Sequence, residues 1–451
     1  MLDINLFREH PEIIIASEKQ RGKDVAFVEK TIEYDKKWRE ALVQVENMRA
    51  EVNKNSHALA KAQESEKKEK AVELKDLKQK IIDLEKQADE FLILRDENRY
   101  KVGNLLDKRV PNGKTDEDNK VIKFFGKARV FRDDLPGFIK ATQGKMEYEV
   151  IDQRPKSHSD LLKELDVADL KKAAEVAGSR TYYLKNELVF LNLALLHFAL
   201  EKIVSKGFTP MWPPFWLKEK AMKGVSHFGN FQDTLYNFSD EDNENFYFIP
   251  SSEQPMIAYF YDEVVRKKDL PFLCAGISTN FRREASAHGK DEGGLFRVHQ
   301  FDKIEQVVIC SPEDSEKWHE QMLKNGEEIL QDLGIPHRVV SCCSGDIGDM
   351  NSLQYDIEVW MPSQGKFRET HSQSNLKDYQ ARRTGIRYKE PDGTTVFAHT
   401  LNATGLATER AIVAILENFQ RPEGTVEIPK VLHKYLPFGI KEIKLLKPWK
   451  D

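Results

Sequence analysis

Between Gly22 and Gly103 the chain carries neither glycine nor proline, and its apolar positions keep a helical beat. Leu74, Leu77, Ile81, Leu84, Ala88 and Phe91 recur at alternating spacings of three and four, the seam of a coiled coil. An earlier face, Trp38, Leu42, Val45, Met48 and Val52, has nearly the same period, and polar Gln63-Glu64-Ser65-Glu66-Lys67 separates the two stretches. The pattern predicts an antiparallel helical hairpin within residues 1–110. Arms of about 35 residues at ~1.5 Å each span roughly 50 Å, too long to pack entirely against a globular body. Periodicity alone favours a structural or dimerising coiled coil here. Turn formers and acid from Val110 to Asn119 then predict a linker, residues 111–130. Beyond it, over 131–451, short β-branched and aromatic runs such as Val307-Val308-Ile309 and Phe246-Tyr247-Phe248-Ile249 alternate with helical stretches such as Glu187 to Ile203. The fold class this implies is α+β.

Composition narrows the classes. With 451 residues, 40% of them hydrophobic, the chain can bury a large core. The first residues lack a basic segment followed by an apolar one, and no run approaches the ~18 apolar residues of a membrane span, so a cytoplasmic protein without a membrane partner is expected. Cys274, Cys310, Cys342 and Cys343 show no metal-ligand spacing and read as buried thiols, with neither disulfides nor zinc expected. A net charge of -5 requires any RNA contact to be a local patch of Lys and Arg. Runs such as Lys67-Lys68-Glu69-Lys70 read, by themselves, as solvated helix surface.

The candidate chemistry lies in Phe281-Arg282-Arg283-Glu284, followed after a loop by Arg297-Val298-His299-Gln300-Phe301. A strand, loop and returning strand would set Arg282 against a phosphate, Glu284 against an adenine amino group and Phe301 against the base. Neither phosphate-cradling Gly-rich motif occurs, so a nucleotide site built on arginines fits better. The arrangement resembles motif 2 of class II aminoacyl-tRNA synthetases. Lys206-Gly207-Phe208 to Pro214 resembles motif 1, and Gly405-Leu406-Ala407-Thr408-Glu409-Arg410, running into an apolar helix, resembles motif 3. Pro250-Ser251-Ser252-Glu253, Lys303-Ile304-Glu305-Gln306, Phe367-Arg368-Glu369, Ser374-Asn375 with Gln380-Ala381-Arg382-Arg383, and Thr400-Leu401-Asn402-Ala403-Thr404 are similar to seryl-tRNA synthetases. The start Leu2-Asp3-Ile4, the hairpin and Gly126-Lys127-Ala128-Arg129-Val130 most resemble the archaeal and eukaryotic cytosolic branches.

The resemblance implies an antiparallel sheet flanked by helices and a homodimer through motif 1 near Gly207 to Pro214. It implies ATP-dependent activation of L-serine to an adenylate with release of pyrophosphate, then transfer to tRNA(Ser), and to tRNA(Sec) where present. The hairpin and the motif 2 loop would hold the tRNA. By family correspondence Arg282, Glu369 and Arg410 are catalytic, at the α-phosphate, Mg²⁺ and the γ-phosphate. ATP would also meet Arg283, Glu284, Val298, His299, Gln300, Phe301, Thr370, His371 and Ser372, with Glu369 and Ser372 holding Mg²⁺. Ser251, Ser252, Glu253, Glu305, Asn402 and Thr404 would form the serine pocket, although Ser251-Ser252-Glu253 also reads as a helix N-cap. Ser251, Ser286, Lys290, Gly293, His371 and Gln373 depart from the usual family residues. Two rival readings are a noncatalytic relative that binds tRNA or regulates, and a ligase loading a carrier protein. Intact Arg282, Glu284, Glu305, Glu369 and Arg410 argue against the first, and the hairpin against the second.

Overall fold

A computed structural model describes residues 1–60, 63–227, 232–284 and 294–445. They divide into two compact units, Met1–Leu105 and Leu106–Asp451.

In the first unit, short helices α1 (Ile4–Glu9) and α2 (Pro11–Gln20) precede two long ones, α3 (Ala26–Ala60) and α4 (Glu64–Arg99). The long pair spans 35 and 36 residues because nothing within it breaks a helix. Leu74, Ile81 and Ala88 of α4 are buried along the seam. The α3 face shifts by one residue from its expected course: Ala41 is 5% exposed and Leu42 37%. The contacting series is therefore Trp38, Ala41, Val45, Met48 and Val52, which restores the alternation of three and four and puts a small side chain at the close approach. Nearer the start of α3, Asp35 is buried among arginines. Arg8 donates to it twice, at 2.9 and 2.8 Å, Arg39 at 3.0 Å and Arg95 at 3.5 Å.

The second unit is built on eight strands: β1 (Lys120–Phe125), β2 (Thr209–Met211), β3 (Phe272–Phe281), β4 (Gln300–Cys310), β5 (His337–Ser341), β6 (Leu353–Met361), β7 (Lys366–Lys377) and β8 (His399–Ala407). Their order is β1-β5-β6-β7-β8-β4-β3-β2, antiparallel throughout except for β2 on β3. Helices α5 (Glu187–Val204), α6 (Ser315–Asp332) and α7 (Thr408–Asn418) bury the main core against it. Alternation along β4 sorts its side chains. Ile304 and Val308 enter that core, and Gln306 donates to the Met322 carbonyl of α6. Val307 and Ile309 join a second core with Met256 and Ala381, on the side where Phe301, Lys303 and Glu305 line a pocket.

The stretch 111–130 is not the linker that its turn formers suggested. Val110 is buried, Asn119 accepts from the Cys343 amide at 2.8 Å, and Lys120–Phe125 pairs as β1 with β5. Its lysines suit an edge strand held by ladder hydrogen bonds, which composition does not reveal.

Candidate active site

A pocket of about 420 Å³ opens over β4, β7 and β8. Arg282, Glu284, Val298, Phe301, Glu369, Thr370, Ser372 and Arg410 line one part of it, and Ser251, Glu253, Glu305, Asn402 and Thr404 the other. Most of the residues picked out along the chain thus meet in one cavity.

The arginine part is held by stacking and paired charge. The Arg282 guanidinium lies 5.0 Å from the Phe301 ring centre, and its Nε donates to the Pro250 carbonyl at 3.2 Å. Burial and the neighbouring Arg410 lower its pKa. Arg410 begins α7 next to the Phe296 ring, 5.1 Å from its centre, and donates to the Glu369 carbonyl at 3.0 Å. It also pairs with the Glu369 carboxylate at 3.3 Å. Arg297 holds the Glu284 carboxylate at 3.1 Å.

The other part is a buried network of carboxyls. Glu305 pairs with Lys303 at 2.6 Å, both almost wholly buried. Burial raises the Glu305 pKa against the pull of Lys303, and burial lowers that of Lys303. Gln380 donates to Glu253 at 3.0 Å; burial, with Glu305 nearby, lifts the Glu253 carboxyl to about 7. Ser251 Oγ accepts from the Glu253 amide at 3.2 Å, whereas Ser252, the N-cap of the short helix Glu253–Ala258, makes no side-chain capping bond, so the segment is not a side-chain N-cap.

Five expected contacts lie elsewhere. Arg283 is exposed and gives its amide to the Thr234 carbonyl. His299 has its ring Nδ1 2.8 Å from the Arg282 carbonyl, bracing the strand end, while Gln300 faces outward at the start of β4. Ser252 is buried, with its hydroxyl on the Gly276 carbonyl. His371 is 3% exposed and turned away from the pocket, and burial lowers its pKa to about 3. Strand alternation is the reason for Gln300 and His371, since neighbours of a pocket residue on a strand face the other way. Ser286, Lys290 and Gly293 lie outside the described residues.

Other pocket residues escaped the sequence reading. Lys303 shares a strand face with Phe301 and Glu305, so period two could have found it. Asp356, which lies behind the lining residues Gln354 and Ser372, gave no such signal. Its carboxylate is 7% exposed and accepts from Gln354 Nε2 at 3.1 Å and Cys342 Sγ at 3.2 Å, while that amide also reaches Ser372 Oγ at 3.1 Å. Burial and the nearby Glu369 lift the Asp356 carboxyl to about 7. The exposed Glu369 carboxylate and Ser372 hydroxyl, with Asp356 behind them, form an oxygen donor set that fits a hard divalent cation.

Residues 1–106 match the seryl-tRNA synthetase N-terminal domain, and residues 236–419 the tRNA synthetase class II core domain (G, H, P, S and T). A serine–tRNA ligase of Pyrococcus horikoshii is 45% identical over 450 residues, covering 98% of this chain and 97% of that protein. The chain belongs to the seryl-tRNA synthetases. Two solved members of the family fit its fold. The crystal structure of seryl-tRNA synthetase from Pyrococcus horikoshii complexed with ATP superimposes with a TM-score of 0.93 at 44% identity, covering 99% of this chain and 100% of that one. The cytoplasmic serine–tRNA ligase from Naegleria fowleri in complex with AMP gives 0.84 at 33% identity, over 99% of both chains. The archaeal and cytosolic resemblance of the synthetase's start and hairpin agrees with these relatives.

Proposed function

We propose that this synthetase activates L-serine with ATP and transfers it to tRNA(Ser), and to tRNA(Sec) where that exists. The observation that carries the reading is one pocket with arginines at one part and a buried Glu253, Glu305 and Lys303 group at the other. Two buried carboxyls against one ammonium suit a substrate that brings its own ammonium.

Serine's carboxylate attacks the α-phosphate in line and pyrophosphate leaves, so catalysis is largely positioning and charge stabilisation. Arg282 stabilises the α-phosphate while Phe301 stacks on adenine and Glu284 meets its amino group. Arg410 swings its charge from Glu369 to the γ-phosphate. Mg²⁺ held by Glu369 and Ser372 would supply neutralising charge at the phosphate oxygens. Glu305 accepts from the serine hydroxyl, with Thr404 and Asn402 closing the pocket. In the second step the terminal ribose hydroxyl of the tRNA attacks the activated carbonyl, the adenylate phosphate accepts its proton, and the anhydride bond breaks with AMP leaving.

The tRNA is held by the hairpin, within 1–110, and by the motif 2 loop, and the catalytic domain spans 131–451 together with β1. The homodimer forms through motif 1 near Gly207 to Pro214, where Trp212 is 74% accessible. Four buried cysteines free of disulfides suit a cytoplasmic setting.

Pyrophosphate exchange across all amino acids tests the reading. Serine should dominate, with alanine slower by about 10⁴, because alanine leaves buried polar groups unpaired. Glu305→Ala should narrow that gap and raise the serine KM. Serine–alanine discrimination unchanged in the variant would remove Glu305 from serine recognition, and no exchange with retained tRNA binding would favour the noncatalytic relative.

A further inference from the structure

Glu369 and Ser372 stand three residues apart on β7, and on a regular strand an odd spacing sends side chains to opposite faces. Both nevertheless line the pocket. The register explains how. Ile357 pairs with His371 and Glu358 with Glu369, so Thr370 is an extra residue that turns the strand by one position. On the neighbouring strand β8, Ile304 pairs with Leu406 and Glu305 with Thr404, leaving Gly405 as a second extra residue. A Cβ at Gly405 would come within 2.4 Å of Ile203 Cδ1 and 3.1 Å of the Ile304 carbonyl oxygen, so a larger residue must displace the isoleucine side chain.

His371 connects the two irregularities. Its Nε2 lies 3.0 Å from the Gly405 carbonyl and its Nδ1 2.9 Å from Thr370 Oγ1. A carbonyl can only accept, so Nε2 carries the hydrogen; the single Thr370 hydroxyl hydrogen has two acceptors in reach, Nδ1 of the neutral ring at 2.9 Å and the Ile357 carbonyl at 3.3 Å, and the shorter contact assigns it to Nδ1. Gly326 of α6 closes over the ring, where a Cβ would stand 3.6 Å from Cδ2. One imidazole thus holds the freed carbonyl of one bulge and the side chain of the other.

We propose that His371 is a positioning residue that locks both bulges and so keeps Glu369 and Ser372 facing the divalent cation that accompanies ATP. The inference rests on the reading of Glu369 and Ser372 given above. Without the lock, Thr370 can return to the ladder, and a one-residue slip carries Ser372 to the helix face. Groups that orient metal ligands commonly tune affinity by 10- to 100-fold.

The test is Mn²⁺ binding, followed by electron paramagnetic resonance at saturating ATP, in the intact protein and in His371→Ala, His371→Gln, Thr370→Val and Glu369→Ala. His371→Ala should raise the half-saturating Mn²⁺ concentration by about tenfold. His371→Gln, whose amide can still donate to the Gly405 carbonyl, should recover most of that loss, and Thr370→Val should show a smaller increase. Affinity for AMP, which lacks the outer phosphates, should stay within about twofold, since the lock acts on the cation ligands alone. If His371→Ala does not fold, the glutamine and valine variants carry the test, and Mn²⁺ binding unchanged in both overturns the proposal. A parallel loss of AMP affinity makes His371 a general structural residue and also overturns it. Glu369→Ala separates the two ideas: if it leaves Mn²⁺ binding unchanged, the cation reading itself fails, whereas a loss there with none at His371 removes only the positioning role.

Discussion

The hairpin and the pocket use periodicity in opposite ways. Along α3 and α4 the contacting residues follow one unbroken helical period, and the shape is the sum of equivalent steps. At the pocket the decisive positions sit where the period of two fails, at Thr370 and Gly405, and single side chains carry the geometry. A repeated contact spreads its stabilisation over many residues, so no one position decides the outcome. An interrupted ladder concentrates it. The hairpin should therefore tolerate change at its surface and fail only at buried charge, while the pocket should lose chemistry without losing its fold.

The sharpest separation of the two regions comes from removing residues 1–105. Deletion should begin at Met1, because Phe7 and Ile14 are buried within the same unit and would be stranded if only 25–106 were replaced. Serine-dependent pyrophosphate exchange should survive, while kcat/KM for tRNA charging should fall by about 10³ as phosphate contacts are lost, and the salt dependence of tRNA affinity should weaken. Full charging by the truncated protein would make the hairpin a structural element.

Within the hairpin, Asp35→Ala removes the buried carboxylate that accepts from Arg8 and Arg39, while Arg95 keeps its closer partner Asp96 at 2.8 Å, and should destabilise the unit by about 3 kcal/mol in urea denaturation. Burial pushes the Asp35 carboxyl up, but hydrogen bonds from Arg8 and Arg39 outweigh it and leave the pKa below 3.8. A lowered folded pKa gives stability that is complete well above 3.8 and is lost as pH falls through the folded value. The wild type should therefore lose hairpin stability on acidification below about 3.8, and the variant should lack that component.

In the pocket, Arg410→Ala should lower serine-dependent exchange by about 10² with the thermal midpoint little changed. Wild-type exchange would remove Arg410 from the reaction. The smallest effect is expected at Leu42→Ser, within about 0.5 kcal/mol, because the seam runs through Ala41. A large loss there would mean that the original spacing, with Leu42 inside, describes the hairpin better.

What could be read from the chain follows the same division. Leu74, Ile81 and Ala88 announced the hairpin because each repeats its neighbour's environment. Arg282, Glu305 and Arg410 were legible through motifs that keep their order. Edge strand β1 was hidden because backbone ladders hold it and its lysines resemble a solvated loop. Asp356 was hidden because a buried aspartate between Tyr355 and Ile357 looks like any strand residue until its partners Gln354 and Cys342 are seen in space. His371 resembled a pocket residue by its place in Glu369-Thr370-His371-Ser372, and only the extra residue at Thr370 shows which way it turns.

The ion pair between Arg410 and Glu369 has a consequence for how nucleotide enters. Under the proposed assignment, the carboxylate occupies the guanidinium's future phosphate and the guanidinium occupies the carboxylate's future cation. The pocket at rest is its own counterfeit ligand. Nucleotide arrival is thus a double displacement in which two attractions are traded for two others, and either half alone would strand a charge. Phosphate and cation have reason to arrive as one neutralised package.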